Sequence, residues 1–78
     1  MEMYELFPRY DSRKSFYGKA HVIEYDDGSK ELRSYCTIVA RIEADGTVTK
    51  DGIGSYSATT NRHCREFFKQ FAPQYKFK

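Results

Sequence analysis

Four side chains in the 78-residue sequence could hold a soft metal or pair a nucleophile with a base: His21, Cys36, His63 and Cys64. Zinc needs such groups to converge on one point at about 2.0 to 2.3 Å. Their spacing works against convergence. Cys36 and Cys64 stand 28 positions apart, outside the familiar zinc patterns. His63 and Cys64 would diverge by about 100° as neighbours on a helix. In the strand register argued below, His21 and Cys36 point to opposite sheet faces. Both cysteines therefore read as buried free thiols acting as small hydrophobes, and both histidines as surface imidazoles, with no metal and no cofactor expected. Nucleophilic catalysis would also need a base beside the thiolate and a third group to orient it, which no spacing here implies. The glycines at 18, 52 and 54 are too sparse for a phosphate-cradling loop. The acidic residues fall mainly in turns and the N-terminal arm, so no carboxylate pair is placed as acid and base. The expectation is a protein that is not an enzyme.

Binding chemistry is better represented. Tyr17, Lys19, Arg33, Tyr35 and Arg41 interleave aromatic and basic groups along one predicted sheet face, a composition that suits a protein partner or the stacking of unpaired bases. A second, basic ridge comprises Arg62, Arg65 and Lys69 on a predicted helix, extended by Lys76 and Lys78. Its bland alternative is a solvated face with an Arg62–Glu66 pair at i, i+4. The formal net charge is only +2, but residues 1–61 carry 8 basic and 10 acidic groups against 5 and 1 in residues 62–78. So modest a total disfavours a strong polyanion binder, because nonspecific affinity follows the number of phosphates neutralised.

The elements that must position these groups are legible from turns and periodicity. The sequence has 40% apolar and 31% charged residues and a mean hydropathy of −0.76, values of a soluble domain whose core is thin at this length. No apolar run is long enough to span a membrane, no signal-peptide pattern opens the chain, and two cysteines do not make a secreted disulfide scaffold. A cytoplasmic setting is expected. Asp27-Gly28 and Asp45-Gly46 mark two hairpin turns. A three-residue loop pairs Glu24 with Lys30 and Val22 with Leu32, whereas a two-residue loop would oppose Glu24 to Glu31; the first register is favoured by about 0.2 to 1 kcal/mol per pair. The same geometry in the second turn pairs Ile42 with Val48.

That register predicts a core face of Phe16, Ala20, Val22, Leu32, Cys36, Ile38, Ala40, Ile42 and Val48. The opposite face carries the tyrosines and basic groups named above. Gly52-Ile53-Gly54 suggests a bend. From there Thr60, Cys64, Phe67, Phe68 and Phe71 share one stripe of a helix over residues 58–72, with Ser57, Thr59 or Thr60 as N-cap and Pro73 as its stop. The predicted fold is thus α+β, a single domain. An arm (1–15) that can add an edge strand through Met3, Leu6 and Phe7 precedes a three-stranded antiparallel meander (16–56). One C-terminal helix packs on one face, and a basic tail (73–78) follows.

Ser15-Phe16-Tyr17-Gly18-Lys19-Ala20, Ser34-Tyr35, and Tyr56-Ser57-Ala58-Thr59-Thr60 followed by Arg62-His63 and Glu66-Phe67 resemble small uncharacterised proteins of phages and mobile elements in Gram-positive bacteria, over roughly residues 10 to 72. The resemblance implies a mobile-element accessory protein and carries no catalytic residues. Small phage proteins of this size include inhibitors of host defence such as anti-CRISPR proteins. The resulting expectation is a protein-binding module with a host protein as partner, acting as a monomer or homodimer without a membrane; nucleic acid is the alternative ligand.

Overall fold

The computed structural model describes residues 1–50 and 58–75. Five strands and one helix follow in chain order: β1 (Glu2–Glu5), β2 (Ala20–Glu24), β3 (Lys30–Ser34), β4 (Thr37–Ile42), β5 (Val48–Lys50) and α1 (Ala58–Phe71). The strands form one antiparallel sheet in sequential order, and α1 lies against β3 and β4. The α+β class, the antiparallel sheet and the C-terminal helix agree with the sequence reading. The strand number does not: the sheet has five strands rather than three.

Both Asp-Gly turns adopt the three-residue form. Glu24 pairs with Lys30, Val22 with Leu32, and Ile42 with Val48. Gly28 and Gly46 take the left-handed φ of 94° and 92° that this loop needs. In each turn the aspartate Oδ1 accepts the amide two residues on, from Ser29 or Thr47, at 2.9 Å.

One additional strand comes from the arm, where β1 pairs along β2 and Leu6 N–H continues to the Ala20 carbonyl at 2.9 Å. Leu6 is buried in the core, while Met3 and Phe7 remain exposed. The other comes from a break at Tyr35-Cys36. A single strand over residues 30–42 would stretch to about 43 Å at ~3.3 Å per residue. The molecule's longest dimension is 30 Å, so the chain must fold back. It does so in a two-residue hairpin loop that pairs Ser34 with Thr37.

That loop moves Cys36 out of the predicted core to an exposed position. It also reverses side-chain parity, so Ile38 falls opposite Arg33 and is only half-buried. A bulge at Val39 then restores the expected pattern, because Leu32 pairs with Ala40 rather than with Val39. Val39 and Ala40 are consequently both buried. The core comprises Leu6, Phe16, Ala20, Val22, Leu32, Val39, Ala40, Ile42, Cys64, Phe67, Phe68 and Ala72, with Val48 and Phe71 packed at its margin.

The helix is covered on two sides. Its apolar stripe meets the sheet, and the arm crosses its flank at Glu66, a side chain only 2% exposed. The Glu66 carboxylate accepts the consecutive amides of Arg9, Tyr10 and Asp11 at 2.9, 3.0 and 3.1 Å, and the Gln70 amide at 2.6 Å. Arg62 does not pair with Glu66 as expected; its guanidinium meets Asp11 at 3.1 Å. The predicted Gly52–Gly54 bend, the Ser57 cap and the tail lysines Lys76 and Lys78 lie outside the described residues.

Candidate functional site

Two turns at one end of the sheet have an unusual backbone. In the first, Lys19 N–H closes on the Phe16 carbonyl at 3.0 Å, with φ of 54° at Tyr17 and 73° at Gly18. Such a double left-handed turn ordinarily carries Asn or Gly at its first central position. In the second, Tyr35 takes φ of 57°, and its amide donates to the Lys19 carbonyl at 2.7 Å, tying the two turns together. A bulky residue in this region costs about 1 to 2 kcal/mol, and such strain concentrates at functional sites. Both rings stay outside, with Tyr17 77% and Tyr35 47% exposed.

Beside these turns lies a cleft of about 200 Å³. Phe16, Tyr17, Lys19 and Tyr35 form its sheet side, Arg13 and Ser15 come from the arm, and Thr59, Arg62 and His63 come from α1. No acidic side chain lines it among the described residues. Arg13 and Lys19 are exposed and make no ion pair among the described residues, so their charge is available to an incoming group.

His63 forms the buried part of the wall. Its Nδ1 lies 2.8 Å from Ser34 Oγ, which lies 3.1 Å from Thr60 Oγ1, and the Phe16 ring meets it edge-on at 4.6 Å. The sequence reading put His63 at the surface. Instead the turn at Tyr35 and the packing of α1 enclose it, and the polar Ser34 sits on the core face to receive it. Nε2 is buried without a hydrogen-bond partner among the described residues. Burial holds the imidazole below its ordinary pKa, with the Asp11 carboxylate acting weakly in the opposite direction.

This direction fixes a pH dependence. Below the unfolded value of about 6.5, the unfolded chain takes up a proton that folded His63 resists, so stability is full above that pH and falls as pH drops toward the lowered folded pKa. Urea midpoints are therefore expected to decline from pH 6.5 downward in wild type, and His63→Gln should remove that part of the decline. Asp11 contributes only lower down: the Arg13 amide and then Arg62 depress its pKa, so its stabilisation is lost below the ordinary carboxylate range.

The predicted sheet-face residues do not remain together. Tyr17, Lys19 and Tyr35 meet at the cleft, in turns rather than mid-strand. Arg33 lies on the sheet face away from α1, opposite His21 and half-buried. Arg41 is engaged elsewhere, bonding Glu43 at 2.7 Å, Glu31 at 3.1 Å and Ser29 Oγ at 3.1 Å, with Tyr25 beneath its guanidinium. The helix ridge also divides. Arg62 joins the cleft, whereas Arg65 and Lys69 are exposed farther along α1.

Among the described residues no three His, Cys, Asp or Glu side chains are grouped as metal ligands, and no helix is long and apolar enough to cross a membrane. A family model matches residues 4–76, a span from β1 through α1 that includes every cleft residue. The chain belongs to the DUF8033 family, a family of unknown function. No curated protein and no solved structure matches the chain. The DUF8033 match spans the cleft residues and leaves the cleft's chemistry to be argued from the residues themselves.

Proposed function

We propose that the chain is a small non-enzymatic protein-binding module of phage or mobile-element origin. It acts in the cytoplasm on a host protein, and inhibition of a host defence factor in the manner of anti-CRISPR proteins is the specific case that size and resemblance suggest. The observation that carries the binding reading is the pair of exposed tyrosines, Tyr17 and Tyr35, held at strained left-handed φ and lining one cleft. Tyrosine is a favoured interface anchor because it offers a large rigid surface with a polar tip. At about 200 Å³ the cleft is smaller than the ~300 to 1,000 Å³ that whole small molecules occupy, but suited to one anchor side chain.

Glycine is the informative substitution, since it accepts positive φ and deletes the ring without strain. Tyr35→Gly should keep the fold and weaken partner binding by ~2 kcal/mol, roughly 30-fold. The measurement is affinity capture from host lysate, with and without nuclease, followed by titration of the captured partner. Retention of full affinity by both Tyr17→Gly and Tyr35→Gly would remove the cleft from the interface.

Nucleic acid is the second reading, supported by the company of Tyr17 and Tyr35 with Arg13 and Lys19 at the cleft. A nuclease-sensitive capture and a steep log-log loss of affinity with salt would favour it.

A further inference from the structure

The cleft's charge specifies what its occupant carries. We propose that it is a receptor for a carboxylate side chain of the partner protein, an inference that rests on the protein-binding reading above. Arg13 and Lys19 stand at the cleft with no ion pair among the described residues, Arg62 adds a third cation already oriented by Asp11, and no acidic side chain lines the space. An anionic group is the complementary occupant. His63 lies in the wall of the same cleft. Its Nδ1 is occupied by Ser34 Oγ at 2.8 Å, and its Nε2 is buried without a partner among the described residues, although buried polar atoms ordinarily have one. His63 is wholly enclosed, so a carboxylate seated among these cations reaches its ring as a change of field through the cleft wall and not as a hydrogen bond. A carboxylate supplies two acceptor oxygens, enough for Arg13 and Lys19, the two cations of the cleft without an ion pair among the described residues.

A carboxylate is favoured over the phosphates of a nucleic acid because the cations are confined to one concavity. Arg41 is engaged by Glu31 and Glu43, and Glu2, Asp26, Asp27 and Asp45 are exposed around the rest of the sheet. A polyanion would find no continuous basic track there.

The experiment is titration of the isotope-labelled full chain, followed by nuclear magnetic resonance, with three probes at low ionic strength: a hexaglutamate peptide, a hexaglutamine peptide and a ten-residue oligothymidylate. Hexaglutamate is expected to shift the amides around Tyr17 and Tyr35 and the His63 Nε2 resonance. The Arg13→Gln/Lys19→Gln double variant, altered only at exposed side chains, should keep the wild-type spectrum and bind it roughly tenfold more weakly, about 1.4 kcal/mol. Equal shifts with hexaglutamine, no response at His63, or unchanged affinity in the double variant would each overturn the proposal. Tighter binding of oligothymidylate at the same residues would overturn it in favour of phosphate. Capture of the host partner separates the two levels. If the double variant captures it as wild type does while Tyr35→Gly does not, the carboxylate assignment falls and the docking reading stands; if all variants capture it equally, both fall.

Discussion

Alanine at Phe67 or at Phe68 is expected to leave most of the chain unfolded at room temperature in modest urea. Each ring is essentially unexposed, and their centroids lie 5.6 Å apart. Phe68 also packs 4.7 Å from Tyr75, and Phe67 lies 5.5 Å from Phe71. Truncating such a ring costs about 3 to 5 kcal/mol. At ~0.05 to 0.15 kcal/mol per residue, a domain of 78 residues has about 4 to 12 kcal/mol in total. Phe71→Ala should cost less than half as much, because its ring is half-buried at the core margin, with Lys30 Nζ 5.5 Å from its centroid. Periodicity alone ranks these differently, placing Phe67 at the edge of the stripe and Phe71 within it. The arm accounts for the reversal: it covers the helix flank at Glu66, beside Phe67, whereas the sheet margin leaves Phe71 partly open. Urea unfolding followed by circular dichroism checks the order, and a Phe71→Ala loss larger than either of the others would mean that the helix face is misassigned.

The parts of the fold legible in the sequence are those specified by short-range chemistry. Asp-Gly turns need left-handed φ, and only the three-residue loop avoids opposing Glu24 to Glu31, so the β2–β3 and β4–β5 registers followed directly. The helix was equally plain from its phenylalanines and Pro73. The Tyr35-Cys36 turn was hidden because it carries none of the residues that usually mark one. Tyrosine at φ 57° is tolerated by the fold rather than announced by the sequence. Missing that turn misplaced Cys36, Ile38 and Val39 and gave Tyr35 a mid-strand position. Length offered a signal that could have exposed the error, since a 13-residue strand exceeds the reach of so small a domain. The candidate site was half legible. Tyr17, Lys19, Tyr35 and Arg62 were singled out for their chemistry, but on two separate surfaces that the turns and α1 unite. Arg13 was missed, because an arm residue has no pattern until tertiary packing puts it beside the tyrosines, and His63, weighed as a metal ligand or base, was read as a surface imidazole because a lone histidine does not announce its burial.

Glu66→Ala is expected to be the most damaging substitution outside the apolar core. A carboxylate 2% exposed has no reason to be buried unless its oxygens are met, and here four donors meet them: three successive arm amides and Gln70. Hydrogen bonds to charged groups contribute about 1.5 to 3 kcal/mol each, but released arm amides regain water, so a net cost of roughly 2 to 4 kcal/mol is expected. Gln70 also donates to the Phe7 carbonyl at 2.8 Å, and Asp11 reaches Arg62, so loss of Glu66 should free the arm as a unit while β1 stays paired through Leu6. Native-state amide exchange would show this as faster exchange at Arg9, Tyr10 and Asp11, with protection in β2 and β3 reduced only by the global loss of stability. Unchanged protection at those three amides would show that the arm is held by other contacts. The consequence reaches the cleft, because Arg13 follows directly on the anchored segment and Asp11 orients Arg62. Glu66→Ala should therefore weaken partner binding even at temperatures where the variant is fully folded. Glu66→Gln, which keeps one accepting oxygen, should fall between it and wild type in both measurements.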